Sequence, residues 1–325
     1  MTVKPLDKIL VFTPNYKTVV WGGNSIPALK GEHSDCQRLG ESWEISALPG
    51  HETIVANGKL KGMNISELSH IYGPKLLGDA VTAKYGNTFP LLIKIIDARQ
   101  MLSVQVHPDD RLAAERHNSR GKSEMWYVID ADEGAEIYRG LKAPLSPQSY
   151  LRHIAAKSIM DVIATFKSRR GQFYYIPSGT IHSIGAGNLL AEIQQSSDIT
   201  YRVYDHDRAD AYGNLRQLHT QEAIDAIDYS FPNEIEPTAK VIDKTTVNAI
   251  KGDHFSVDLY CLNNEKQAVF NSHNSFTALL AVEGSLTVEA DGECRTLNAG
   301  HSALIPAFVD SITLSGSGRV LSAHL

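Results

Sequence analysis

The segment Gly171–His182, GQFYYIPSGTIH, constrains this chain more than any other stretch. Phe173, Tyr174, Tyr175 and Ile176 are strand formers, side chains that suit a pleated and half-buried surface. Pro177 and Gly179 then force a tight turn, since proline presets φ and glycine accepts the positive φ that other residues resist. The pattern G-x5-P-x-G-x2-H therefore reads as strand, sharp turn, histidine. A lone histidine is more often structural than a ligand, so His182 acquires chemical meaning only through partners.

Candidates stand upstream, in Leu102-Ser-Val-Gln-Val-His-Pro-Asp109 and Lys122-Ser-Glu-Met-Trp-Tyr127. Gln105 and His107 are two apart in a β-branched run, so on a strand both side chains point to one face. Ser103 shares that parity. Glu124 opens another strand-like run, Met125–Ile129. Gln105, His107, Glu124 and His182 together offer nitrogen and oxygen donors without sulfur. That set suits zinc, but also iron, manganese or nickel. The alternative makes Gln105 and Glu124 solvated edge residues.

The motif at His182 resembles the second conserved motif of the cupin superfamily, whose barrels use a histidine there as a metal ligand. More narrowly, the chain resembles the type I phosphomannose isomerases. QVHPDD matches the Q-x-H-P-D element of that family and KSEMWYV its K-x-E segment. Ser196–Asp205, SSDITYRVYD, is similar to the bacterial form of its S-D-x-x-x-R element, and Trp21-Gly-Gly23 and Gly40–Ser46 resemble two further signatures. The match runs in order from about Trp21 to Asp205. The resemblance implies a mainly β fold of two cupin-type barrels (jelly rolls) with a small helical insertion. It also implies one zinc ion per chain on Gln105, His107, Glu124 and His182. The implied reaction interconverts mannose 6-phosphate and fructose 6-phosphate through a cis-enediol.

Such a reaction needs a phosphate grip, a base between C1 and C2, and an electrophile for the developing enediolate. Ser103, Lys94 and Lys122 align with family positions associated with the substrate, and ordinary surface lysines are the alternative. Lys94 lies inside the apolar run Leu91–Ile96, where burial without an anion would be costly. The resemblance makes Arg202 the candidate catalytic cation, unless it is a structural partner of Asp198 or Asp205. Glu192, ten residues earlier, stands where the family carries a proposed base, and desolvation beside Leu190 and Ile193 would raise its pKa. A histidine or aspartate remains an alternative base. Trp21 is a candidate sugar contact or a core residue, and Glu44 a candidate buttress for a ligand. Ser183-Ile184 departs from eukaryotic members, which tend to carry an aromatic residue two beyond the histidine; this fits the compact bacterial branch. Four protein ligands leave room for water only if coordination expands or Gln105 binds weakly.

The 325 residues are enough for two domains, expected at 1–235, with the helical insertion at about 144–168, and at 236–325. The boundary is expected at Phe231–Pro237, FPNEIEP. Ser66 should cap a helix over Glu67–Leu77, Asp109 one reaching about Arg116, and Thr220 one through Ile227. Ser146-Pro147 should introduce helical turns at Tyr150–Ile154 and Ile159–Lys167. Beyond the boundary, Thr277–Glu289 reads as paired strands around a glycine turn. Gly300–Pro306 repeats the G-x5-P spacing, with Ser311 where the first motif has His182, so a metal-free second barrel is expected and His273 is at best a relic.

A net charge of −6 argues against general nucleic-acid or membrane binding but leaves room for an anionic substrate held by local cations. Cys36, Cys261 and Cys294 are too scattered for a disulfide framework or a thiolate zinc site. The N-terminus does not read as a secretory signal and no apolar run is long enough to span a bilayer, so a cytoplasmic monomer or homodimer is expected. The rival readings are an iron-dependent cupin dioxygenase, which would favour an apolar pocket and more histidines, and a non-catalytic sugar-binding cupin.

Overall fold

The structure, a computed structural model, describes residues 4–36, 38–209, 213–230, 246–264, 267–271 and 274–325. The expected boundary at Phe231–Pro237 and the residue His273 lie outside the described residues.

Strand periodicity decides the architecture. In Leu91–Ala98, every position is buried, so both faces of the strand are covered. Leu91, Ile93 and Ile95 enter one apolar cluster, whereas Ile96 and Ala98 enter another. The same parity holds in Glu124–Ala131, where Met125, Tyr127 and Ile129 face one way and Trp126 and Val128 the other. It holds again in Asn188–Gln195, with Leu189, Ala191 and Ile193 opposite Leu190. These three strands are the centre of a six-stranded antiparallel sheet in the order Phe173–Ile176, Glu124–Ala131, Asn188–Gln195, Leu91–Ala98, Leu39–Ser46, Asn15–Gly23. A sheet buried on both faces needs a layer on each side.

One layer is a five-stranded sheet ordered Tyr201–Tyr204, Val104–Val106, His182–Ile184, Glu136–Leu141, Ile163–Lys167. Ile137 and Ile184 of this sheet share a core with Trp126, Val128 and Leu190. The other layer is a nine-stranded sheet built mostly from residues after 245, to which the N-terminal strand Leu10–Thr13 is added by pairing with Ser302–Ile305. Val257, Leu259, Leu280 and Leu321 of that sheet pack with Ile93, Met125 and Ala191 of the middle one. The expectation of a mainly β fold holds. None of the three sheets closes on itself as a barrel, because each strand order is an open path.

Several local expectations change. Asn64, not Ser66, caps the helix Ile65–Tyr72: its side chain accepts from Glu67 N at 2.8 Å while Glu67 accepts from Asn64 N at 3.0 Å. This reciprocal pair satisfies two orphan donors at once, and Ser66 bonds Ala47 O instead. That helix stops at Gly73, and Pro74–Leu77 is a separate turn. Asp109 and Ser146 do cap Asp110–His117 and Pro147–Ala155. Helix Thr220–Ala226 has His219 at its N-cap without a side-chain capping bond, so Thr220 is not the cap. Of Ile159–Lys167, only Ile159–Val162 is helical, as a 3-10 turn, and Ile163–Lys167 is the edge strand beside Glu136–Leu141.

Thr277–Ala290 is one fourteen-residue strand rather than a hairpin. Gly284, at φ 75°, and a register shift between Ala281 and Glu283 bend it without breaking it. A Cβ on Gly284 would lie 2.1 Å from Ser317 O, so glycine is required at that crossing. The bend encloses a second apolar core containing Leu279, Leu286, Val288, Ile312 and Leu314.

Candidate metal centre and active site

The turn after Phe173–Ile176 forms as its residues dictate. Thr180 N donates to Pro177 O at 3.1 Å, and Gly179 holds φ 86°. Gly179 N also donates to His107 O at 2.9 Å, which ties the two histidine-bearing segments together. His182 opens a strand whose neighbours on either side are Val104–Val106 and Glu136–Leu141. Register pairs His182 with Gln105 and with Arg139, and Gln105 with Arg202. Directly paired residues share a face, so Arg202, Gln105, His182 and Arg139 form one lateral row across four strands.

Glu124 reaches this row from the facing sheet. One donor atom each from His107, Glu124 and His182 fall within 4.8 Å of one another, and all three residues are buried. His107 Nδ1 lies 2.9 Å from Ile199 O and His182 Nδ1 2.8 Å from Thr180 O. Each imidazole thus spends Nδ1–H on a carbonyl and turns the Nε2 lone pair inward, the arrangement that orients metal-binding histidines. His182 Nε2 stands 3.2 Å from Glu124 Oε1, and that buried oxygen has no hydrogen-bond donor. Two acceptors facing each other at this distance in a buried site fit a cation between them. Gln105 lies beside the group, with its amide nitrogen 3.3 Å from His182 Nε2. Burial and the Lys122 ammonium push His107 down to about 3, so it is a neutral imidazole near pH 7. Burial acts to raise Glu124, yet the Lys122 charge and the two histidines hold it well below the usual carboxylate range. A neutral His107 and an ionised Glu124 are the protonation states a divalent metal requires of such residues.

The remaining expected residues divide between this group and other settings. Lys122 Nζ is 2.7 Å from Glu124 Oε2 and 2.9 Å from His107 Nε2, turned into the His107–Glu124–His182 group. Lys94 and Glu192 are cross-strand partners on the same face as Glu124, joined by a 2.8 Å ion pair. Burial opposes the Lys94 charge, but Glu192 and Glu41 hold its ammonium above its ordinary range. Glu192 is buried as expected, but beside charged and polar groups rather than in an apolar niche: its other oxygen accepts from Trp126 Nε1 at 2.7 Å. Arg202 does not pair with Asp198 or Asp205. Its guanidinium donates to Gln217 O at 2.9 Å, and Asp205 is taken by Arg208 and Arg216. Ser103 is buried just before the strand that carries Gln105. Trp21 is 5% exposed, in the apolar cluster with Leu102 and Trp126. Glu44 does not buttress a ligand; it pairs with Lys30 at 2.6 Å.

Sequence reasoning passed over Trp126 and Arg139. Trp126 stands two residues after Glu124, and that parity could have placed it inward. It donates to Glu192 and sets its ring edge against His182 at 5.4 Å, so it connects the carboxylate to the metal group. Arg139 carries no local signal in GAEIYRGLK, and only strand register brings it beside His182.

Comparison with known proteins places the chain in a family. Residues 9–137 match the family model described as phosphomannose isomerase type I, catalytic domain, and residues 245–325 match that of the mannose-6-phosphate isomerase cupin domain. The chain is 36% identical over 307 residues to a mannose-6-phosphate isomerase of Streptococcus mutans, covering 94% of each chain. It is 35% identical over 332 residues to mannose-6-phosphate isomerase ManA of Bacillus subtilis, covering 100% of each. The crystal structure of the Bacillus subtilis mannose 6-phosphate isomerase superposes with a TM-score of 0.88 at 32% identity, over 98% of this chain and 100% of that one. With two family models in order and full-length relatives above 30% identity, the chain belongs to the type I phosphomannose isomerase family.

Proposed function

We propose that this protein interconverts D-mannose 6-phosphate and D-fructose 6-phosphate through a cis-enediol, with one zinc ion on Gln105, His107, Glu124 and His182. The observation that carries the reading is the buried His107–Glu124–His182 group, with the Gln105–Arg202 row on one sheet and Glu192 with Lys94 on the other. When bound, zinc would supply Lewis-acid stabilisation of negative charge on a sugar oxygen. Everything else falls to side chains. Arg202, Lys122 and Ser103 grip the phosphate and sugar oxygens; a guanidinium can donate twice to such an anion. Glu192 takes the proton from C2 of mannose 6-phosphate and delivers it to C1, while a proton passes in the same sense from the C2 hydroxyl to the C1 oxygen. Lys94 and Trp126 hold Glu192 in place for both transfers, and Trp21 lies in the packed layer beneath.

The test is a coupled assay of the purified chain with mannose 6-phosphate, run after chelation and again after zinc is restored. Activity should vanish and return. Full turnover in protein shown to be metal-free by elemental analysis would end the zinc reading, and absence of turnover in loaded protein would end the substrate reading. Glu192→Gln should lower kcat by about 10²–10⁴-fold and slow exchange of C2 deuterium with solvent. Unchanged exchange would move the base elsewhere.

A further inference from the structure

Lys122 stands where a metal would need its ligands. Its side chain is 5% exposed, and the ammonium donates to His107 Nε2 at 2.9 Å and forms an ion pair with Glu124 Oε2 at 2.7 Å. A neutral imidazole has one N–H and one ring lone pair. His107 spends the N–H on Ile199 O, so Nε2 carries the lone pair that Lys122 occupies. Metal coordination by His107 uses that same lone pair, and the two contacts exclude each other. We infer that the Lys122 ammonium is the resident cation of the metal-free centre and that metal binding swings it out toward the substrate. The inference rests on the metal reading above and extends it: the anion grip assigned to Lys122 exists only in loaded protein.

The local backbone fits a side-chain swing rather than a loop movement. Gly121 N donates to Asp110 Oδ1 at 2.8 Å, Lys122 N to Pro108 O at 3.1 Å and Ser123 N to Gln195 Oε1 at 2.8 Å. Three successive amides are therefore pinned. The flexible four-carbon stem of lysine supplies the motion. In the metal-free state the ammonium lowers the cost of burying Glu124 beside two lone pairs, a cost that would otherwise be severe.

The full-length protein is stripped with chelator or loaded with zinc, then exposed briefly to methyl acetimidate, and amidination of each lysine is followed by mass spectrometry. Lys122 should be protected without metal and label several-fold faster with it, the reverse of ordinary ligand protection. Lys94, held by Glu192 in both states, is the internal control. In parallel, zinc affinity is measured by competition with a chromogenic chelator. Lys122→Met should bind zinc about tenfold more tightly or better, because a charge-assisted contact no longer has to be broken. Lys122→Arg, which keeps a cation, should show no such gain. Zinc bound stoichiometrically with unchanged or slower Lys122 labelling would overturn the swing alone, as would equal affinity in Lys122→Met. Failure of the wild type to hold zinc would overturn the metal reading and this inference with it.

Discussion

Replacing Lys94 by Met isolates one buried charge. Lys94 and Glu192 are 8% and 2% exposed, and their charged atoms are 2.8 Å apart. At an effective dielectric of 20 their attraction is about 6 kcal/mol, of which desolvation offsets a large part. Met keeps most of the stem's volume, so little of the effect should come from a cavity. What remains is a buried carboxylate with only Trp126 Nε1 as donor. Removing one partner of a buried pair costs about 3–5 kcal/mol. All three tryptophans, Trp21, Trp43 and Trp126, lie in the sheet that carries Lys94, so urea unfolding followed by their fluorescence reads this region directly. With a slope of about 3 kcal/mol/M, the midpoint should fall by about 1–1.7 M. The double variant Lys94→Met/Glu192→Gln should recover to within about 1.5 kcal/mol of wild type, since no charge is left unpaired. The pH dependence has a definite sign. The Lys94 ammonium is held above its ordinary range, so its contribution is complete below about pH 10.4 and fades only as pH rises through the folded value. The deficit should be equal at pH 7 and pH 9. A loss under 1 kcal/mol at pH 7, or a double variant no more stable than the single one, would refute the account.

His107→Ala should lose metal and turnover together; stoichiometric zinc in the purified variant would contradict the ligand assignment. Asp205→Asn removes a carboxylate shared by Arg208 and Arg216 and should cost about 1.5–3 kcal/mol. Burial acts to raise Asp205, but the two arginines hold it below the usual carboxylate range. Its contribution is therefore present above about pH 3.9 and lost as pH falls through the folded value, and a gap in melting temperature that does not narrow as pH falls below that point would argue against it. Gly22→Ala would set a methyl 2.5 Å from both Arg38 O and Gly40 N, backbone atoms that cannot rotate away. A loss of at least about 1–3 kcal/mol is expected, and wild-type unfolding would show that the strands have room.

The sequence by itself determined the parts that local chemistry controls. The strand and turn before His182, the shared parity of Gln105 with its neighbours, and the caps at Asp109 and Ser146 follow from φ preferences and short-range hydrogen bonds. The grouping of His107, Glu124 and His182 was legible because an ordered series of motifs marked it. Tertiary structure decided what depends on register and layering. Arg139 joins the row because Glu136–Leu141 pairs beside His182, and no local pattern encodes that pairing. Glu192 meets Lys94 and Trp126 through cross-strand contacts spanning 98 and 66 residues, reckoned from their numbers. The same holds for Thr277–Ala290, where a glycine that reads as a turn is instead a bend, because the flanking residues find a continuous partner strand in Ser311–His324. Turn chemistry permits a reversal, but long-range pairing determines whether the chain makes one.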